Sequence, residues 1–112
     1  MPEDAEPSQT QLLRIEAQHD PATSTIILDG ELDIHTIERF LASIQDALET
    51  QPRSIAIDTS AVGFMDSSGL AGLLRARSAA NAAGVPFRVS GISPRVRHRI
   101  EVAGLERLLG VD

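Results

Sequence analysis

An apolar stretch with the character of a strand buried on both faces, Ser54-Ile55-Ala56-Ile57-Asp58, precedes a helical pattern, and a further short strand pattern follows at Pro86 to Val89. A strand, a crossover helix and a second strand of one sheet join with parallel, right-handed geometry in nearly every case. The alternation therefore restricts the chain to an α/β or α+β domain, whose chemistry gathers in the loops at the carboxyl ends of the strands. The helix between these strands carries Leu70, Leu73, Leu74, Ala80 and Ala83 toward a core and ends near Gly84, which can adopt a left-handed C-terminal cap. Ser93-Pro94 opens another helix as N-cap and first-turn proline, with Val96, Ile100 and Ala103 on its apolar side and Gly104 interrupting it.

The preceding part of the chain adds a hairpin and one more helix. Leu12 to Glu16 and Ser24 to Leu28 are partly β-branched segments separated by His19-Asp20-Pro21, a turn-forming cluster. Asp29-Gly30-Glu31 then breaks the strand pattern. From Asp33 onward, Ile34, Ile37, Leu41, Ile44 and Leu48 recur at three- and four-residue spacing, with Phe40 widening the stripe, which predicts an amphipathic helix capped by Asp33 and stopped by Pro52. A hairpin feeding parallel crossovers makes a mixed sheet of four to five strands, with helices covering mainly one face. Thr59 to Met65 reads as a sharp connection leading from the buried strand to the next helix.

At 112 residues and 42% hydrophobic content the chain fits one domain. Residues 1–11, with Glu3, Asp4 and Glu6 and no apolar run, read as a disordered acidic tail, leaving 12–112 as the folded domain. The lack of cysteine excludes disulfides, thiolate catalysis and sulfur-ligated metals, in keeping with a reducing cytoplasm. A formal net charge of −6, with three Phe and no Tyr or Trp, disfavours nucleic-acid binding. Apolar stretches fall short of the roughly 20 residues that span a bilayer. A protein partner is the natural expectation.

Asp66-Ser67-Ser68-Gly69, after an apolar strand and at the start of an apolar helix, is the stretch with most chemical potential. Serine hydroxyls at a helix N-terminus lie where free N–H groups and the positive end of the helix dipole stabilise a phosphate or other anion. A serine hydrolase would place its nucleophile on such a turn, but Met65 and Asp66 stand where Gly-x-Ser-x-Gly needs glycine, and His19, His35 and His98 fall in unrelated turn and helix patterns. Gly63, Gly69 and Gly72 match neither of the common phosphate-binding loop patterns, so a nucleotide or small anion near the Gly63 to Gly69 turn is a secondary reading. Gly72 within the helix suits close packing. Asp58 and Asp66 alone do not make a metal site, and Asp66 reads as a helix cap. Arg95, Arg97, His98 and Arg99 do not fall on one helical stripe and read as a solvated surface.

Phe64-Met65-Asp66-Ser67-Ser68-Gly69-Leu70 closely resembles the phosphorylation motif of bacterial anti-sigma factor antagonists, which are single STAS domains. Leu28-Asp29-Gly30-Glu31-Leu32-Asp33 is similar to a second segment of that family, and Val102-Ala103-Gly104-Leu105-Glu106-Arg107-Leu108 to its ending, so the resemblance spans about Leu12 to Val111. It implies a cytoplasmic, non-catalytic module without cofactor or metal. Such a module binds an anti-sigma factor of the serine kinase type, releases the sigma factor and is switched off by phosphorylation, with a phosphatase for reset. By position in the motifs, Ser68 is the implied phosphoacceptor, with Asp33, Met65, Asp66, Ser67 and Gly69 as motif or partner-binding positions.

Overall fold

The computed structural model describes residues 12–111, so the expected acidic tail of residues 1–11 lies outside the described residues. The chain runs β1 (Leu13–His19), β2 (Thr23–Leu32), α1 (Ile37–Glu49), β3 (Ser54–Met65), α2 (Ser67–Ala82), β4 (Phe87–Ile92) and α3 (Pro94–Ala103). The strands form a 4-stranded sheet in the order β1-β2-β3-β4. β1 and β2 are antiparallel, and β2, β3 and β4 are parallel, which gives the expected mixed sheet with an N-terminal hairpin. The hairpin turn is tied by Asp20, whose carboxylate accepts the backbone N–H groups of Ala22 and Thr23 at 2.7 and 2.8 Å.

One face of the sheet carries the core. Ile26 pairs with Ile57, and Ile57 with Val89, and all three are buried with Leu28 and Ile55 in one cluster with Phe40 and Ile44 of α1 and Leu73, Ala76 and Ala80 of α2. The opposite face presents Arg14, Glu16, Asp29 and Arg88, all exposed. The outer edges are also occupied. Arg39 donates from Nη1 to the Leu13 carbonyl at 2.8 Å, and the Leu109 carbonyl accepts from Val89 N–H at 2.9 Å, so β1 and β4 do not present bare ladders.

Three expectations change. The strand that the sequence ends at Asp58 continues to Met65, so Thr59–Met65 is not a sharp connection. Likewise β2 runs through Asp29-Gly30-Glu31 to Leu32, because these two extensions pair with each other: Asp29 with Ala61, Gly30 with Val62, Glu31 with Phe64 and Leu32 with Met65. Register shifts after Ile27 and Gly30 break the two-residue period, which is why alternation fails to show in the sequence. Gly30 is required there: at φ +130° it lies against the Leu12 carbonyl, which accepts from Glu31 N–H at 2.6 Å.

The third change concerns Asp33, which does not cap α1. The helix starts at Ile37 with Thr36 as its N-cap residue, and Asp33–Thr36 forms a separate turn that leaves Ile34 outside the apolar stripe. Smaller departures are Ala83 and Ala103, both exposed at the ends of their helices. Elsewhere the end signals hold: Gly84 and Gly104 adopt positive φ just beyond α2 and α3, and Ser93 caps α3.

Where β4 ends, α3 takes over the free edge of β3. Ser93 Oγ donates to the Val62 carbonyl at 2.7 Å while accepting from Val96 N–H at 3.3 Å. Arg99 Nε donates to the Met65 carbonyl at 3.0 Å. Ser93→Ala is expected to lower stability by about 2 kcal/mol, since a lost N-cap costs about 1 kcal/mol and an orphaned buried carbonyl about 1–3 kcal/mol. Urea unfolding checks this, and a loss below about 0.5 kcal/mol would mean that the carbonyl is satisfied without Ser93.

Candidate functional site

The extended β2 and β3 bring Asp33 and Asp66 to the same edge of the sheet, since Leu32 and Met65 are register partners. A single residue, Asp66, joins β3 to α2. Its extended backbone and the acceptance of Gly69 N–H by its Oδ1 at 3.0 Å make it the N-cap of α2. That bond satisfies one of the free donors of the first turn and places a carboxylate at the positive end of the helix dipole.

Ser67 and Ser68 occupy the first positions of α2; Ser67 is exposed and Ser68 half-buried. Neither hydroxyl bonds to another described residue. The direction of Ser68 follows from its helical neighbours. Residues four and seven positions on, Gly72 and Arg75, face α1: Gly72 has no side chain because Ile37 Cδ1 fills that space, and Arg75 approaches Glu38 at 3.9 Å between exposed side chains. Ser68 thus lies on the α1 side of α2, one turn before Gly72, where the Asp33–Thr36 turn precedes α1.

Gly69 makes this closeness possible. A methyl at that position would overlap the Leu32 carbonyl oxygen and sit 2.6 Å from Met65 Cγ. The absence of a side chain lets the end of β2 rest on the first turn of α2, with Met65 buried beneath. The structure therefore brings together Asp33, Met65, Asp66, Ser67, Ser68 and Gly69, although Asp33 is buried in its own turn and exposes little of its carboxylate.

The turn is tightly bonded. Asp33 Oδ1 accepts from His35 N–H at 2.9 Å, Thr36 Oγ1 accepts from Asp33 N–H at 3.0 Å, and the same hydroxyl donates to the Glu31 carbonyl at 2.8 Å. The Asp33 carbonyl accepts from Thr36 and Ile37 N–H groups at 3.1 and 2.9 Å. Thr36 and the exposed Ile34 are site features that the helical period hides, because it assigns this segment to the helix. Arg99, read as part of a solvated cluster, contacts the Met65 carbonyl behind the site through a pairing 34 positions apart, for which no local signal exists.

The other chemistries find no support here. Gly63 lies within β3 and not in a turn, so no glycine-rich loop surrounds the helix start. The groove between α1 and α2, about 350 Å³, is lined by Glu38, Leu41, Ala42, Ile44, Gln45, Arg75 and Ala79 and includes none of the Gly63–Gly69 residues. Asp58 is engaged by Ser60, whose N–H and hydroxyl donate to its Oδ1 at 2.9 and 2.7 Å, and no group of three or more acidic, His or Cys side chains among the described residues could hold a metal ion. His19 pairs with Ser24 at 2.7 Å, toward the end of the sheet opposite Ser68. No helix among the described residues is long and apolar enough to cross a membrane.

The same organisation occurs in known proteins. The anti-sigma F factor antagonist of Paenibacillus polymyxa is 29% identical over 100 residues, covering 88% of this chain and 86% of that protein. An anti-sigma factor antagonist from Mycobacterium paratuberculosis superimposes with a TM-score of 0.74 at 25% identity, over 88% of this chain and 84% of the other. The Bacillus cell fate determinant SpoIIAA, in its phosphorylated form, superimposes with a TM-score of 0.65 at 28% identity, over 85% of this chain and 86% of its own. The STAS domain model matches residues 14–112, the span that holds every strand and helix described above except the first residue of β1, and the chain belongs to the STAS domain family.

Proposed function

We propose that this chain is an anti-sigma factor antagonist of the cytoplasm, a binding module with no catalytic step of its own. Unmodified, it binds an anti-sigma factor with serine kinase activity and thereby releases the sigma factor. Phosphorylation of Ser68 by that kinase ends the binding, and a phosphatase restores it. The ATP chemistry belongs to the partner.

One observation carries this reading: Ser68 lies at the start of α2 with a hydroxyl that bonds to no other described residue, while the helix start is already capped by Asp66. A phosphate on Ser68 removes no bond that holds the fold, and the helix dipole favours the added charge. The effect falls on the surface instead. The Asp66 carboxylate already stands at this helix start and the chain carries a formal net charge of −6, so a dianion at Ser68 must be desolvated against the partner or meet the phosphates of a kinase-bound nucleotide. The names of the antagonist relatives, and the phosphorylated form of SpoIIAA among the similar structures, support the same reading.

The test is intact-mass spectrometry with fragment mapping after incubation with the kinase-type anti-sigma factors of the source organism, Mg²⁺ and ATP. The expected result is one added phosphate, on Ser68, and a Ser68→Ala protein that binds the same partner but gains no phosphate. Full phosphorylation of Ser68→Ala would remove the assignment to Ser68. Absence of binding and modification with every such partner would remove the antagonist reading itself.

A further inference from the structure

Asp33 and Thr36 are buried polar side chains, 6% and 1% exposed, and their bonds hold a turn whose tip is Ile34, which is 65% exposed. Burying a carboxylate and a hydroxyl is costly unless each is bonded, and here the bonds run within the turn and from Thr36 to the Glu31 carbonyl near the end of β2. The result is a rigid backbone that presents an aliphatic side chain to solvent. Ile34 contributes nothing to the core, because α1 begins three residues later at Ile37. Its neighbour is the Ser68 edge, since the Leu32 carbonyl two residues before it rests on Gly69.

We propose that Ile34 is the apolar anchor of the docking surface, inserting into a hydrophobic socket on the anti-sigma factor beside the residues that approach Ser68. This rests on the antagonist reading given above. A β-branched side chain on a pre-organised turn loses little conformational freedom on binding, which lowers the ordering cost of association. The acidic balance of the chain decides the kind of occupant. A formal net charge of −6 opposes both a second copy and an anionic lipid surface. A different protein with an apolar socket avoids both.

Calorimetric titration of the full-length chain into each kinase-type anti-sigma factor of the source organism tests the proposal. Ile34→Ala is expected to weaken binding at least about tenfold and Ile34→Asp further, with the melting temperature unchanged because the side chain is exposed. Ile34→Val should stay within about threefold of the wild type, as should Leu108→Ala, which removes an equally apolar exposed group from the C-terminal turn beside β4. Wild-type binding together with an Ile34→Ala affinity within about twofold of it overturns this inference alone. Failure of the wild type to bind any of these partners overturns the antagonist reading and this inference with it.

Discussion

Gly69→Ala lowers the stability of the domain by about 3 kcal/mol, the upper end of what forced overpacking costs, and the melting temperature by about 10–20 °C. The added methyl meets the backbone carbonyl of Leu32, with Met65 Cγ 2.6 Å away, and the carbonyl is no flexible side-chain end that can swing aside. Relief requires the end of β2 to lift from α2, which strains the pairing of Leu32 with Met65 and the bond from Gly69 N–H to Asp66. Gly63→Ala is the matched control. A methyl there meets no atom within 4 Å, so its effect should stay within about 0.5 kcal/mol. Thermal melting of the two variants by circular dichroism measures the contrast. Equal shifts would mean that the contact between β2 and α2 yields without cost.

In the proposed switch, phosphorylation of Ser68 is expected to weaken partner binding by more than about a hundredfold, equivalent to roughly 3 kcal/mol, and to leave the melting temperature almost unchanged. Both parts follow from the same geometry. The cap of α2 is supplied by Asp66, so the modified hydroxyl is not among the groups that hold the helix. At the surface, a group of about −1.5 to −2 charges replaces a neutral one two residues from the Asp66 carboxylate. Ser68→Asp adds a single charge on a shorter side chain and should weaken binding by only about tenfold. Titration calorimetry of the unmodified, phosphorylated and Ser68→Asp proteins gives the order directly. Equal affinity of the unmodified and phosphorylated forms would rule out a charge switch at this serine. A large drop in melting temperature on phosphorylation would instead point to a damaged helix start.

The parts of the fold that were legible in the residues are those governed by short-range chemistry. Asp66 followed three residues later by Gly69, and Ser93 followed by Pro94, mark helix starts because a side-chain oxygen reaches backbone N–H groups only two or three residues on. Gly84 and Gly104 mark helix ends because the positive φ is a property of one residue. The hairpin and the alternation of strands and helices likewise follow from local turn residues and apolar period, and they limited the sheet to a mixed one. The motif around Ser68 could also be recognised from the chain alone, as a run of residues similar to one family.

Tertiary structure decided where that motif sits and what stands beside it. The extensions of β2 and β3 depend on pairing between segments about 30 residues apart, and the register shifts erase the alternation that would announce them. Ile34 fits a helical period as well as Ile37 does, yet the bonds of Asp33 and Thr36 hold it out of the helix. Ser93 and Arg99 complete the edge of β3 across separations of 31 and 34 positions. Capping and periodicity act within a turn or two of the chain, whereas satisfaction of a strand edge and exposure of a side chain depend on which distant backbone arrives there.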